Sequence, residues 1–238
     1  MSLFIQLPVS APATIGTVAE SDIEMFLPFD PSSYEFWNFR KASLKAANDT
    51  SKALIPQGKY SFSENALNAT VGGSDNLITS LTDNGEFSFC GVISNIGSST
   101  AAMIIAGNYT ATPLAGLSIY RTTGGALSVR AGSRVLTIGT ANATAPLFFG
   151  VSVSKSAPAV RAVVKQLGTI DYSAAGASFP DPYVQSTQPV VIGSFAGGAA
   201  QTLKFYEFAT YSRSLSLEEL NTRYLQAKLR MKGVGVNI

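Results

Sequence analysis

Histidine is absent from the 238 residues, cysteine and tryptophan occur once each, and charged side chains make up only 13 %. Without histidine there is no Ser-His-Asp or Cys-His catalysis, no histidine metal site and none of the usual zinc hydrolase chemistry. Any enzyme built from this chain would have to work with carboxylates, tyrosine or lysine. A single cysteine excludes an intrachain disulfide, so the fold must stand without staples. Cys90 lies in the apolar run Glu86-Phe-Ser-Phe-Cys-Gly-Val-Ile93 and reads as a buried, inert thiol. Positive charge is scarce as well. Seventeen Lys and Arg against 15 Asp and Glu leave a net +2, too little and too scattered for a nucleic-acid footprint. No apolar run approaches the length of a membrane span. The opening Met-Ser-Leu-Phe-Ile-Gln-Leu-Pro has neither the basic start nor the long apolar stretch of a signal peptide, so export by that route is not expected.

What the chain has in abundance is serine, threonine, alanine and glycine, arranged in short alternating runs. The length suits one large all-β domain with a proper core. From Gly85 onward, strand-like runs cover 87–94, 101–106, 116–121, 126–130, 135–140, 147–154, 160–166 and 190–194. Turn signals part them: Asn95, Gly107-Asn108, Thr122-Thr-Gly-Gly125, Ala131-Gly132, Lys155-Ser-Ala-Pro158 and Gly197-Gly198. Regular short strands of this kind predict a sandwich or barrel. Gly124-Gly125 between two alternating runs predicts a tight hairpin. Residues 1–21, punctuated by Pro8 and Pro12, show no period and read as an extended N-terminal arm; residues 22–238 form the domain. The arm has too little apolar periodicity to pack on its own domain, so holding it would need another chain, because ordering each residue costs about 1–2 kcal/mol of backbone entropy.

The closing stretch is the most organised. In Leu203-Lys-Phe-Tyr-Glu-Phe-Ala-Thr-Tyr211 a period of two puts Leu203, Phe205, Glu207 and Ala209 on one face and Lys204, Tyr206, Phe208 and Thr210 on the other. Aromatics on both faces predict a strand buried in a sandwich. Ser216-Leu-Glu-Glu219 follows as a capping box. Leu217, Leu220, Tyr224, Ala227 and Met231 then mark one apolar face of a helix. Glu218 and Glu219 open that helix, Arg223, Lys228, Arg230 and Lys232 crowd its far end as the dipole favours, and Gly233 ends it.

These residues carry a resemblance. Tyr211, Arg213, Leu215, Ser216, Glu218 and Glu219 match in order the closing signature of the concanavalin A-like, laminin G/pentraxin-type jelly roll. The Leu-Pro-Phe-Asp30 piece resembles the first strand of that family, 148–168 its central hairpin, and Pro189-Val-Val-Ile-Gly193 the strand before the closing one. The resemblance also implies that Tyr60–Ser63 and 76–81, on either side of Gly72-Gly73, are paired strands. It covers roughly 22–232, with 31–60 and 169–188 fitting poorly and read as insertions. It implies an all-β, concanavalin A-like jelly-roll sandwich with a short C-terminal α-helix, and it is nearly silent about the ligand.

Three kinds of chemistry can be sought in that frame. Glu20-Ser-Asp22-Ile-Glu24 would put three carboxylates on one strand face, similar to the motif of laminarinase-type glycosidases on this fold. Here the motif precedes the first strand instead of lying mid-chain, its flanking apolar pattern is missing, and Trp37 is the only tryptophan available for a cleft. No catalytic residue is assigned, and an enzyme is not expected. Relatives of the pentraxin and laminin G type often hold calcium at a loop rim, but Asp49, Asp75, Asp83, Asp171 and Asp181 show no calcium-loop spacing, so no cofactor is expected. Sugar binding needs an aromatic platform, for which Tyr34 to Phe39, Tyr109, Tyr120 and Tyr172 to Tyr183 are the candidates. The Asn-x-Thr sequons at Asn48, Asn68, Asn108 and Asn142 are expected to be unused. The functional expectation is a non-enzymatic virion component of a bacteriophage (tail, fibre or decoration protein), made in the host cytoplasm. Its partners would be symmetry copies or other virion proteins reached through the arm, and a cell-surface glycan. The alternatives are a free lectin or adhesin and, less well supported, a glycosidase.

Overall fold

The computed structural model describes residues 29–73, 75–97, 101–176, 183–195 and 198–238. The arm, the Glu20–Asp22–Glu24 motif, all but two residues of the expected first strand, and Asp181 lie outside these residues. Period-two alternation over the rest produces a series of short strands. In chain order they are β1 (Glu35–Asn38), β2 (Ile55–Pro56), β3 (Tyr60–Ser63), β4 (Ala66–Val71), β5 (Asn76–Ile78), β6 (Glu86–Ser94), β7 (Met103–Gly107), β8 (Thr110–Ala111) and β9 (Leu114–Ala115). They continue with β10 (Leu117–Arg121), β11 (Ala126–Ala131), β12 (Arg134–Thr140), β13 (Leu147–Ser154), β14 (Ala159–Gln166), β15 (Ile170–Ala175), β16 (Val191–Gly193) and β17 (Gln201–Tyr211), and end in a helix, α1 (Leu217–Lys232).

Two antiparallel sheets result. One runs β15-β14-β13-β6-β17-β4-β3, with β1 alongside the second half of β17; the other runs β12-β11-β10-β7-β16-β5-β2. Between them lies a core in which Trp37, Phe89, Phe149 and Phe208 meet at ring-centroid distances of 6.1–6.5 Å. A second apolar layer fills the outer face of the eight-stranded sheet, where Phe36, Val92, Phe148 and Tyr211 pack under Leu220, Ala227 and Met231 of α1. The layers are therefore helix, eight-stranded sheet and seven-stranded sheet. Two glycines make the strands fit closely. Gly91 pairs with Phe149 and leaves room for its ring, and Gly150 pairs with Cys90 and leaves room for Leu220.

Burial on both faces explains why β6, β13 and β17 are apolar almost throughout. In β17 the simple alternation fails. A register shift between Phe205 and Glu207 inserts an extra residue against β6. Leu203, Phe205 and Phe208 face the inter-sheet core, whereas Tyr206, Ala209 and Tyr211 belong to the layer under the helix. A bulge of this kind reverses the phase of everything downstream, and a count by two cannot see it.

The other departures have local causes. Tyr60–Ser63 pairs with β4 and not with 76–81; β5 belongs to the opposite sheet, paired with β16 and β2. The chain changes sheets at Gly72 and Gly73, both at positive φ. Residues 31–60 are not an insertion, because β1 supplies the buried Phe36 and Trp37 and pairs with β17. Within 169–188, Ile170–Ala175 is a strand on the edge of the eight-stranded sheet. Phe29 and Asp30 are not in a strand. Asp30 takes the Ser32 amide at 2.9 Å, and the Asp30 carbonyl takes the Ser33 amide at 3.1 Å, closing a turn that Pro31 favours. The expected central hairpin, β13–β14, and the Thr122–Gly125 hairpin, with Gly125 at φ 83°, are both present.

The closing signature is a clamp between sheet and helix. The Tyr211 hydroxyl donates to Asp30 Oδ2 at 2.8 Å, and Arg223 reaches the same oxygen at 2.9 Å. The Leu215 amide donates to both Ser88 and Ser152 at 2.9 Å, polar groups standing on otherwise apolar strands. The capping box forms as read: Ser216 Oγ takes the Glu219 amide at 3.1 Å and Glu219 Oε2 takes the Ser216 amide at 2.8 Å. Arg230 then forks onto Glu207 at 2.8 and 2.9 Å, both side chains nearly inaccessible. Arg223 and Arg230 thus tie the helix to the domain, a role the dipole reading did not capture.

Candidate ligand-binding site

The seven-stranded sheet has one face in the core and one face that, among the described residues, no helix covers. Met103, Leu117, Ile119, Leu127 and Val129 point inward. Alternation sends Ile104, Ser118, Tyr120 and Arg130 outward, and the register places Tyr120 beside Ile104 and Ser118 beside Arg130. A small hairpin, β8–β9, arises at the end of β7 and returns to β10. Its base is fixed by chemistry only certain residues supply. Gly107 sits at φ 137° and Gly116 at φ 81°, each so close to backbone that a Cβ would collide with a carbonyl oxygen at 2.2 and 2.5 Å. Between them the buried Asn108 donates its amide to Asp83 at 3.2 Å and accepts the Leu117 amide at 2.8 Å. This hairpin brings Tyr109 and Ala111 to the sheet's outer face.

Together these elements enclose a cleft of ≈ 310 Å³ lined by Met103, Ile104, Tyr109, Ser118, Tyr120 and Arg130, with Ala102, Ala111 and Gly198. That volume lies at the lower end of the ~300–1,000 Å³ typical of small-molecule sites. Arg130 dominates its electrostatics. The guanidinium carbon lies 5.3 Å from the Tyr109 ring centroid and 5.8 Å from that of Tyr120, within reach of cation–π attraction to both. Its Nη1 donates to the Tyr109 hydroxyl at 3.0 Å. Among the described residues no carboxylate pairs with Arg130, and its Nε is buried with no acceptor. An unpaired buried donor costs about 1–3 kcal/mol, and the cost is greater where the group carries charge. The arrangement can place an aromatic wall and a fixed cation against one small ligand. A second depression of ≈ 210 Å³ near Tyr224 offers less, since its cation, Lys165, already contacts Asp171.

The structure sorts the other sequence candidates. Phe36, Trp37 and Phe39 are core residues, and Tyr34 is exposed with the Lys52 ammonium 3.3 Å above its ring. Tyr172 packs against the core; Tyr183 is buried and donates to Asp83 Oδ2 at 2.6 Å, and burial followed by the Asp83 charge drives its hydroxyl pKa far up. Among the described candidates only Tyr109 and Tyr120 line one cleft together. Asp83 is consumed by Tyr183, by the Ser186 amide at 2.9 Å and by Asn108, and Asp49 caps Ser51 at 2.6 Å. Asp171 lies against Lys165, and the Gly72–Asp75 bridge places Asp75 at the sheet crossing. Among the described residues no three His, Cys, Asp or Glu side chains converge as metal ligands. Cys90 is buried, and desolvation pushes its thiol far above the ordinary range. Asn48 is held through its Nδ2 by the Ser33 carbonyl at 3.0 Å, and Asn142 accepts from Thr144 at 3.0 Å. Arg130 was missed. The signal lay in the hairpin: a Thr-Thr-Gly-Gly turn registers Tyr120 against Ser128 and puts position 130 on the same face, two residues on.

No protein-family model matches the sequence, and no curated relative is found by sequence comparison. Solved structures do match. The receptor-binding domain of botulinum neurotoxin D aligns with a TM-score of 0.57 and 14% identity, over 84% of this chain and 54% of that one. The binding domain of botulinum neurotoxin DC in complex with SialylT gives 0.59 and 11%, over 82% of this chain and 51% of that one. A sialidase of Trypanosoma rangeli in complex with sialic acid gives 0.58 and 12%, over 92% of this chain and 36% of that one. The chain therefore spans about half the length of the toxin domains and about a third of the sialidase. At such identities the likeness is one of fold, and that fold is a lectin-like jelly-roll β-sandwich.

Proposed function

We propose that this chain is a non-enzymatic, glycan-binding jelly roll whose binding site is the cleft on the open face of the seven-stranded sheet. The observation that carries the reading is the meeting of Tyr109, Tyr120 and Arg130 around one cleft of ligand size. Sugars present apolar ring faces and polar rims, and a site for them combines aromatic surface with a few fixed donors. Support of a weaker kind comes from the sugar ligands named with two fold neighbours. Among the described residues the cleft lining contains no carboxylate, whereas glycoside hydrolysis on such a scaffold ordinarily needs two. Saturation-transfer NMR against a panel of sugars tests the reading: signals from a bound sugar should vanish in Tyr120→Ala while the fold persists. Signals that survive Tyr120→Ala and Tyr109→Ala unchanged would place the site elsewhere.

In its finer form the reading makes the chain an adhesion or structural component on a bacteriophage particle, with residues 1–21 docking on a symmetry copy or another virion protein. The sparse charge and hydroxyl-rich composition support that form. Deleting residues 2–20 should leave a folded domain that no longer assembles, measured by light scattering and by incorporation into particles. Normal assembly of the truncated chain would contradict it.

A further inference from the structure

Two features have no role so far: the acidic run Glu20-Ser-Asp-Ile-Glu24 and the outward face of α1. With 3.6 residues per turn, Leu225 and Leu229 stand on the crest of α1, opposite the docked Leu220, Ala227 and Met231. They are 57% and 40% exposed. The two flanks of the crest differ. Arg223 and Arg230 lie on one, held by Asp30 and Glu207. Lys228 and Lys232 lie on the other. Lys228 stands 5.8 Å from the Tyr224 ring centroid, and among the described residues neither lysine meets a carboxylate. The chain preceding the described residues enters at this helix. Phe29 packs on the apolar layer beneath α1, and Asp30 pairs with Arg223 at 2.9 Å. Traced back from Asp30, the sequence runs through Leu27, Phe26 and Met25 and then reaches Glu24 and Asp22. Crossed from the Arg223 flank, the helix surface runs through Leu225 and Leu229 and then reaches Lys228 and Lys232. The two orders match. Pro28 favours extended chain at Leu27, and seven extended residues reach about 23 Å at ~3.3 Å each. That is enough to cross a helix ~10–12 Å in diameter.

We propose that the outward face of α1 is a docking surface for the chain's own residues 22–28. Met25, Phe26 and Leu27 cover Leu225 and Leu229, and Asp22 and Glu24 stand beside Lys228 and Lys232. Apolar contact supplies most of the affinity, because exposed ion pairs contribute little. The charges set direction and register. Asp30 and Phe29 tether one end within reach, so docking is intramolecular and orders only a few residues. The acidic run then has a docking role in place of the glycosidase-like one its spacing resembles. A chain crossing here leaves the domain on the Lys228 side of α1. The helix and the cleft lie on opposite outer faces of the sandwich, so an arm held this way leaves the cleft unobstructed.

Zero-length carbodiimide cross-linking of the full chain tests the placement, read by mass spectrometry on a mixture of isotope-labelled and unlabelled protein. Links from Asp22 or Glu24 to Lys228 or Lys232 should join peptides of like isotope, and so form within one chain. Links of mixed isotope alone would mean that a second copy supplies the segment. Links to other lysines alone, or none, would take the segment off this face. Either result overturns the proposal. Hydrogen exchange gives an independent reading. The amides of Met25, Phe26 and Leu27 should exchange about tenfold or more slowly than in an unstructured chain. Leu225→Asp/Leu229→Asp should abolish that protection; both positions are exposed, and a melting curve checks that the variant folds. Lys228→Glu/Lys232→Glu should weaken the protection, and adding Asp22→Lys/Glu24→Lys should restore it. Protection that survives the leucine substitutions, or its absence in the parent chain, overturns the proposal.

Discussion

Gly150 stands opposite Cys90 where α1 lowers Leu220 onto the eight-stranded sheet, and a Cβ there would lie 3.1 Å from both Cys90 Sγ and Leu220 Cδ2. The inserted atoms have nowhere to go in a layer packed this densely. Gly150→Val should therefore cost about 1–3 kcal/mol, read from the urea midpoint, and an unchanged midpoint would mean that the helix is not seated there. Glu219 gives a second prediction at this scale. Burial alone would raise its carboxyl, but the Ser216 amide, the Arg213 guanidinium and the Ser216 hydroxyl together hold it below its usual value. A carboxyl with a lowered folded pKa adds stability above the unfolded value of about 4.3, and that stability is lost as pH falls through the folded value. The melting temperature of Glu219→Gln should accordingly fall less steeply below about pH 4 than that of the parent chain; parallel curves would contradict this. These residues were partly legible in the sequence. The Ser-x-x-Glu spacing showed the cap, but nothing local showed that Arg213 would sit 2.7 Å from Glu219 Oε1.

Helix α1 docks as an element through one apolar stripe and two ion pairs set seven residues apart. Leu220, Ala227 and Met231 form the stripe, and Arg223 and Arg230 flank it. Removing the cap by Ser216→Ala should cost about 1 kcal/mol, and Leu220→Ala about 2–5 kcal/mol. Glu207→Gln leaves Arg230 buried without its counter-ion, and breaking such a pair from one side costs about 3–5 kcal/mol. Denaturant melts of the three variants, with the double variant Glu207→Leu/Arg230→Met as reference, separate packing from charge. If Glu207→Gln is neutral, the helix is held by its apolar stripe alone. The stripe was legible because spacings of three and four are written in consecutive residues. The ion pairs were not, since Asp30 and Glu207 come from distant stretches and only the fold brings them under the helix. The same distinction explains β1. Its aromatics were visible, but its pairing with β17 spans about 170 residues of chain and leaves no local trace.

At the scale of the whole molecule, the two sheets have different fates. One has α1 packed on its outer face; the other, among the described residues, has no helix on its outer face and is crossed there by the β8–β9 hairpin. The alternation of the sequence already implied the sandwich, and Tyr109 and Tyr120 were visible as aromatics outside the most apolar runs. Their meeting with Arg130 was not visible, because it depends on a hairpin folding back over the sheet through Gly107 and Gly116. The central claim is that this open face binds sugar. A backbone-amide NMR titration with the sugar that saturation transfer selects tests it most directly. The account predicts shifts that cluster at 102–104, 109–111, 118–120, 130 and 198, and that disappear in Tyr120→Ala. Shifts gathered instead at α1 or around Tyr224, with the cleft amides unmoved, would contradict it.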